Sequence, residues 1–206
     1  SLVSPMRIQR SPQLSLIFVG LTFLALVSLG AWRARWGFLT RGVPVDAPLP
    51  VIGSGAEWGV NVSLEQYDPA ELDENLAQIS GAGFATIKQS FYFSENFDWA
   101  NSDAWFAAAS RHHLTLIPLL DGDPATQFAP PDDPNSFAQW AGAFAQRYGD
   151  QIEAYIIWDE PNLTSHWGNQ PVNPDEYVAL LAAAAQAIRS QDNTALIVAA
   201  PLAPTL

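Results

Sequence analysis

The sequence predicts an α/β fold built on a parallel sheet, carried behind one long apolar helix at the N-terminus. Three observations predict it: β-rich runs alternate with amphipathic stretches along residues 58–200, three of the four amphipathic stretches open on an Asp-Pro or Asn-Pro pair, and the runs at 114–120 and 152–158 are almost unbroken in apolar residues. Alternating βα units lay helices over a parallel sheet, and a strand covered on both faces reads as a continuous apolar run.

The chain has 206 residues and a mass of 22.4 kDa, room for one domain or part of a larger one. Apolar residues make up 49% and charged residues 15%, which supports a sizeable core and excludes a disordered chain. The lack of cysteine excludes a disulfide framework, a thiolate metal site and a thiol nucleophile. A net charge of −12 excludes a nucleic-acid partner, which needs clustered Lys and Arg. That charge is unevenly divided. Arg7, Arg10, Arg33, Arg35 and Arg41 all precede the first acidic residue, Asp46, whereas the 21 acidic residues that follow have only Lys88, Arg111, Arg147 and Arg189 beside them. The head suits an anionic lipid surface, which repels the rest of the chain.

Residues 1–13 form a basic N-terminal segment, and residues 14–32 read as a transmembrane helix or signal anchor. No charge falls between Ser11 and Trp32. At ~1.5 Å per residue, residues 14–32 span about 28 Å, against a hydrocarbon thickness of ~30 Å. Arginines on both flanks, with Trp32 and Trp36 at the interface, complete the pattern. The small residues around Ser28-Leu29-Gly30 leave cleavage as a signal peptide open, with a secreted product; an uncleaved anchor holding the body outside the cytoplasm is the preferred expectation. Residues 33–56 are a juxtamembrane segment and linker, with three prolines and two glycines between Val43 and Gly55, a semi-extended tether.

Residues 57–206 carry the α/β body. Strands are expected at 58–62, 84–90, 114–120, 152–158 and 195–200, with helices at 69–80, 103–112, 134–148 and 174–190 between them. Asp68-Pro69, Asp133-Pro134 and Asn173-Pro174 mark helix starts: the side chain caps free N–H groups, and proline fits the first helical position because no donor is needed there. Glu71 and Glu176 then fall on the third helical position, where the dipole favours a carboxylate. Leu72, Leu76 and Ile79 mark one buried face, and Phe137, Trp140, Phe144 and Tyr148 another. Gly81 and Gly149 are expected to end their helices in a left-handed conformation.

Asn61-Val62-Ser63-Leu64 follows the first strand in place of a glycine-rich phosphate loop. This argues against a dinucleotide-binding sheet and for a (β/α)8 barrel. Four βα units and a fifth strand amount to about half of such a barrel. The expected fold is therefore a partial TIM (β/α)8 barrel, about β1 to β5, preceded by one N-terminal transmembrane helix and truncated from a longer protein.

The informative segment is Ile156-Ile157-Trp158-Asp159-Glu160-Pro161-Asn162. It places Glu160 at the C-terminal end of the fourth strand, the end of a barrel where catalytic groups sit, and the proline stops the strand there. Alternation puts Trp158 and Glu160 on one side, so the indole is expected to line the site. An apolar wall of that kind favours the protonated form of a carboxyl, as a general acid working near neutral pH requires.

Trp158-Asp159-Glu160-Pro161 resembles the Trp-Asn-Glu-Pro signature of the clan A glycoside hydrolases, (β/α)8 barrels that include cellulases, β-xylosidases and β-galactosidases. The resemblance covers residue 58 to the end of the chain. It implies a retaining glycoside hydrolase in which Glu160 is the general acid/base and a second Glu, ending a seventh strand, is the nucleophile. Retaining hydrolysis needs two carboxyls ~5–5.5 Å apart. Only the first falls on this chain, so the fragment itself is expected to be inactive. Two positions depart from the family. Asp159 stands where the signature has Asn and, ionised, only accepts hydrogen bonds. Lys88 stands on the second strand where many members carry an Arg that steadies the nucleophile, and it brings the charge without the planar fork.

The substrate-binding candidates are Asp159, Trp158 and Lys88, joined by Asp121 after the third strand and by His166 and Trp167 in the loop after Glu160. An indole suits a sugar's apolar face and an imidazole a hydroxyl. No cofactor and no metal are expected: His112-His113 ends a helix at the other end of the barrel, and Asp121 with Asp123 supplies too few ligands for a calcium loop. The expected partners are a carbohydrate substrate and the membrane, with no nucleic acid. A non-catalytic barrel that binds glycans or stabilises a membrane assembly is the alternative, and Asp159 is the residue that favours it.

Overall fold

The structure, a computed structural model, describes residues 12–40 and 58–204, and within the first stretch the side chains of residues 20–35. The chain divides into two units between Ser54 and Gly55.

The first unit contains helix α1, Pro12–Thr40. No proline follows until Pro44. The helix carries on through Arg33 and Arg35, good helix formers, past its expected end at residue 32. Leu21, Phe23, Leu24, Leu26, Val27, Leu29 and Trp32 are each more than half exposed, so the apolar surface runs around the helix rather than along one stripe. Among the described residues no helix is long and apolar enough to cross a membrane. The side chains described in α1 span residues 20–35, fewer than the ~20 consecutive apolar residues a crossing takes. The side chains of residues 14–19 of the expected segment thus lie outside the described residues, as do residues 1–11 of the basic segment and 41–56 of the linker.

The second unit is a sheet of five parallel strands, β1 (Gly59–Val62), β2 (Thr86–Tyr92), β3 (Thr115–Asp121), β4 (Ala154–Ile157) and β5 (Leu196–Ala199), in the order β1-β2-β3-β4-β5. A doubly wound sheet reverses its strand order at a switch point. Here every strand lies beside its sequence neighbour, as the staves of a barrel do. Helices α2 (Pro69–Gly81), α3 (Trp99–Arg111), α4 (Pro134–Tyr148) and α5 (Pro174–Gln191) connect them.

The caps explain where these helices start. Asp68 accepts from the N–H groups of Ala70 and Glu71 while Glu71 accepts from the Asp68 N–H, a complete capping box. Asp133 accepts from the Asn135 N–H, and Asn173 from those of Asp175 and Glu176. Helix α3 departs from expectation: it starts at Trp99 rather than residue 103, because Asp98 accepts from the N–H groups of Ala100 and Asn101 with no proline behind it to mark the place. The two glycines expected to be left-handed are not. Helix α2 runs through Gly81 and the left-handed turn falls to Gly83, at φ +91°. Gly149 keeps φ −58° and opens the 3-10 turn Gly149–Gln151.

Register pairs Ile87 with Leu116, Phe91 with Leu120 and Leu120 with Ile157. These side chains face the helices and are buried with Leu76, Phe106, Phe144, Tyr148, Leu180 and Ile188. Phe91 is the centre of an aromatic cluster, its ring centroid 4.8 Å from that of Phe144 and 5.9 Å from that of Phe106. The opposite face of β2 carries Lys88, Ser90 and Tyr92 in alternation with buried Ile87, Gln89 and Phe91. On it Lys88 lies between Asn61 and Ile117, and Tyr92 beside Asp121. This second face and the strand ends at Tyr92, Asp121 and Ile157 position the candidate site.

Candidate active site

The turn after β4 is built from left-handed residues. The Trp158 N–H still donates to the Leu120 carbonyl at 2.8 Å, extending the pairing with β3. Trp158 then takes φ +71° and Glu160 φ +44°. Neither has glycine's freedom, and such conformations cost on the order of 1–3 kcal/mol each unless the surroundings impose them. Here the surroundings do so through the segment after β5. The Glu160 N–H donates to the Pro201 carbonyl at 3.1 Å, and the Asn162 side-chain amide donates to the Ala203 carbonyl and accepts from its N–H, both at 2.9 Å. From α5, the Tyr177 hydroxyl donates to the Ile157 carbonyl at 3.0 Å and accepts from the Ala200 N–H. The ends of β4 and β5 are thereby stapled together beneath Glu160.

The left-handed φ of Trp158 also breaks the alternation on which its expected position rested. Its indole is fully buried, packed between Phe137 and Trp167 at centroid distances of 5.5 and 5.4 Å. Its Nε1–H donates to the His166 carbonyl at 3.1 Å. The ring lies against Gly122, where a Cβ would stand only 2.8 Å from its outer edge. Trp167 is 1% exposed and has Trp158 on one side and Tyr177 on another. Neither indole presents a free face at the mouth; both hold up the loop after Glu160.

The polar groups gather at the ends of β2, β3 and β4. Asp121 is 3% exposed, and its Oδ1 accepts from the N–H groups of Gly122 at 2.9 Å and Asp159 at 3.3 Å. Burial, with the Asp159 charge adding to it, pushes its carboxyl up to about 7, against those two bonds and the Lys88 charge. Lys88 thus acts on Asp121 by charge, from the sheet face that also carries Tyr92. Burial raises the Tyr92 phenol too, with the charges of Glu65, Asp121 and Asp159 contributing. Glu65 is held at the mouth of β1 by buried Gln89, whose Nε2 donates to it at 3.0 Å and whose Oε1 accepts from the Leu64 N–H at 2.8 Å. The Glu160 side chain is one-third exposed, with its Oε2 3.6 Å from Nδ1 of His166. The imidazole in turn lies on Phe128, at 4.8 Å.

Glu160, Asp159, Asp121 and His166 therefore lie around this one end of the sheet, Lys88 stands two residues into β2 and reaches Asp121 by charge, and Trp158 and Trp167 sit beneath. Sequence reading missed Tyr92, Glu65, Asn162 and Tyr177. Tyr92 was within reach, two positions past the expected end of its strand and on the face of Lys88. The others depend on contacts between distant loops. Among the described residues no group of three or more His, Asp or Glu side chains is placed to hold a metal ion. His112, at the end of α3, instead pairs with Asp73 at 2.9 Å.

No family model matches this chain and no curated protein matches it. Solved structures do. Endoglucanase Cel5A from Thermotoga maritima aligns at 18% identity over 69% of this chain and 52% of that one, with a TM-score of 0.51. A glycoside hydrolase family 5 protein from Bacteroides vulgatus aligns at 16% identity over 73% of this chain and 36% of that one, with a TM-score of 0.53. A glucosidase from Croceicoccus marinus aligns at 16% identity over 59% and 31%, with a TM-score of 0.51. At such identities the likeness is one of fold. The five parallel strands resemble part of a TIM barrel of the kind glycoside hydrolases use, and the chain spans about half the length of the endoglucanase.

Proposed function

We propose that the chain is the first half of a retaining glycoside hydrolase acting on O-glycosidic bonds of poly- or oligosaccharides, with Glu160 as general acid/base. The observation that carries this reading is the position of Glu160: it lies in the turn that follows the fourth strand, a left-handed turn tied to β3 and β5, with its carboxyl partly open to solvent. Strand ends of a barrel are where its catalytic groups sit, and imposed backbone strain supports a functional role. Glu160 gives its proton to the leaving oxygen in the first step and takes one from water in the second. A nucleophilic carboxylate ~5–5.5 Å away completes the mechanism, and the proposal puts it on a later strand, past Leu206. Asp159, Asp121, Lys88 and His166 are then the polar lining of the sugar site. Solved structures of the same fold have been determined with mannotriose, cellobiose and cellotriose.

The same proposal makes the N-terminal helix a membrane anchor with the barrel outside the cytoplasm, or a secreted enzyme if the helix is cleaved. The charge-free run from Ser11 to Trp32 between arginines supports it, as do the exposed apolar side chains around α1.

The test reads the natural chain beyond Leu206 for three further strands and a Glu ending the seventh. That full-length protein is then assayed on aryl glycosides with poor leaving groups, as wild type and as Glu160→Gln. Turnover with retained configuration, cut about 10²–10⁴-fold by the substitution, is expected. A chain without the seventh-strand carboxylate, or equal turnover in both proteins, overturns the proposal. Asp159 favours a second reading, a glycan-binding barrel without catalysis; sugar binding with no turnover in either protein would establish it.

A further inference from the structure

The geometry points to His166 as a positioning residue for Glu160: its Nδ1–H donates to Glu160 Oε2 and leaves Oε1 as the oxygen that transfers the proton. This rests on the glycosidase reading for its purpose, but not for its structural content.

Nδ1 of His166 is buried and has no hydrogen-bond partner. Buried polar nitrogens are almost always bonded, so a lone one needs an explanation. The polar atom facing it is Glu160 Oε2, at 3.6 Å. That is too long for a formed hydrogen bond, but bonds at catalytic sites are often long without substrate and tighten when the site closes around it.

The ring has little freedom to turn elsewhere. The backbone carbonyl of His166 is held by the Trp158 indole N–H, its backbone N–H donates to the Leu163 carbonyl at 3.1 Å, and the ring packs against Phe128. The loop bearing Phe128 is bound in turn to the loop of His166, the Gly168 N–H donating to the Gln127 carbonyl at 2.8 Å. The chain thus runs from Trp158 through the backbone of residue 166 to an imidazole aimed at the carboxyl two residues after that tryptophan. This gives the buried indole a task in the site that it does not line.

With Nδ1–H on Oε2, the proton moves between Oε1 and the glycosidic oxygen as the C–O bond breaks, and a water proton returns to Oε1 in the second step. His166 keeps its own proton throughout. The arrangement requires the neutral ring to be the Nδ1–H tautomer, since the hydrogen bond made by one ring nitrogen selects which nitrogen is protonated.

The experiment is long-range 1H–15N NMR on the protein with 15N-labelled histidine, at about pH 9, above the usual imidazole range. In the wild type His166 is expected to show a protonated-type Nδ1 and an unprotonated-type Nε2. In Glu160→Ala it is expected to revert to the Nε2–H tautomer that free histidine favours, while the signals of His113 stay in place as a check on folding. An Nε2–H tautomer in the wild type overturns the proposal, and so does an Nδ1–H tautomer unchanged by the substitution. The wild-type spectrum decides even if the variant fails to fold. Turnover on glycosides does not enter, so a failed glycosidase assay and a failed tautomer assignment remain separate results.

Discussion

Asp121 Oδ1 accepts the backbone N–H of Asp159 across the gap between the third and fourth strands, so a buried carboxylate helps to shape the turn that presents Glu160. Its proton affinity is the site's clearest pH signal. The carboxyl is raised to about 7 in the folded chain, against ~3.9 when unfolded. Between those values the folded state keeps a proton that the unfolded state has lost, so rising pH favours unfolding. Stability should fall from about pH 4 to about pH 7 and then level, by up to about 4 kcal/mol for a shift of three units. Asp121→Asn keeps an oxygen for the two N–H groups and removes the titration. The check is urea unfolding of both proteins at either end of that window: the wild type should lose stability relative to the variant as pH rises, and parallel profiles would refute the account.

Tyr177 should be a structural keystone despite lying outside the carboxylate cluster. Its hydroxyl joins the Ile157 carbonyl to the Ala200 N–H, and Phe at this position leaves both without that partner. Unpaired buried backbone groups cost about 1–3 kcal/mol. Tyr177→Phe is expected to destabilise by about that amount, and the Ala200 amide should exchange with solvent faster than its neighbours. Unchanged exchange at Ala200 would show that the bridge carries no weight.

Much of this fold was legible because its signals are local. Asp68, Asp133 and Asn173, each followed by proline, announced three helix starts, and the apolar runs at β3 and β4 announced covered strands. Asp98 was illegible because a capping aspartate without proline looks like any other aspartate. The exposed stub is nevertheless a real cap, and Asp98→Ala should cost about 1 kcal/mol in unfolding experiments; a neutral result would mean that α3 is set by packing alone.

In the candidate site, Glu160 stands just after the fourth strand, where the motif and the strand count had both put it. The direction of the Trp158 ring was not legible, because alternation holds only while the backbone stays extended, and φ +71° at Trp158 ends it. That conformation is imposed by Pro201, Ala203 and Gly122, residues distant in sequence whose contacts no periodicity encodes. The extent of helix α3 and the seating of the two indoles are thus failures of different kinds, one of a weak local signal and one of a long-range constraint.

Gly122 supplies the sharpest mutational test of that seating. A Cβ there would lie 2.8 Å from Cη2 and Cζ2 of Trp158 and 3.0 Å from the Phe128 Cα, so the indole and the β3–α4 loop must both give way. Overpacking of this kind costs about 1–3 kcal/mol, and Gly122→Ala is expected to fall in that range. Trp158→Phe removes the outer ring that the new methyl would strike, at the separate expense of a cavity and the lost hydrogen bond to His166. Because the two positions touch, their effects should not add: the double variant should be more stable than the sum of the single losses implies, by roughly 0.5–3 kcal/mol. A double-mutant cycle by urea denaturation measures the coupling. If the losses simply add, the indole does not rest on Gly122, and the support inferred for the Glu160 turn from beneath is wrong.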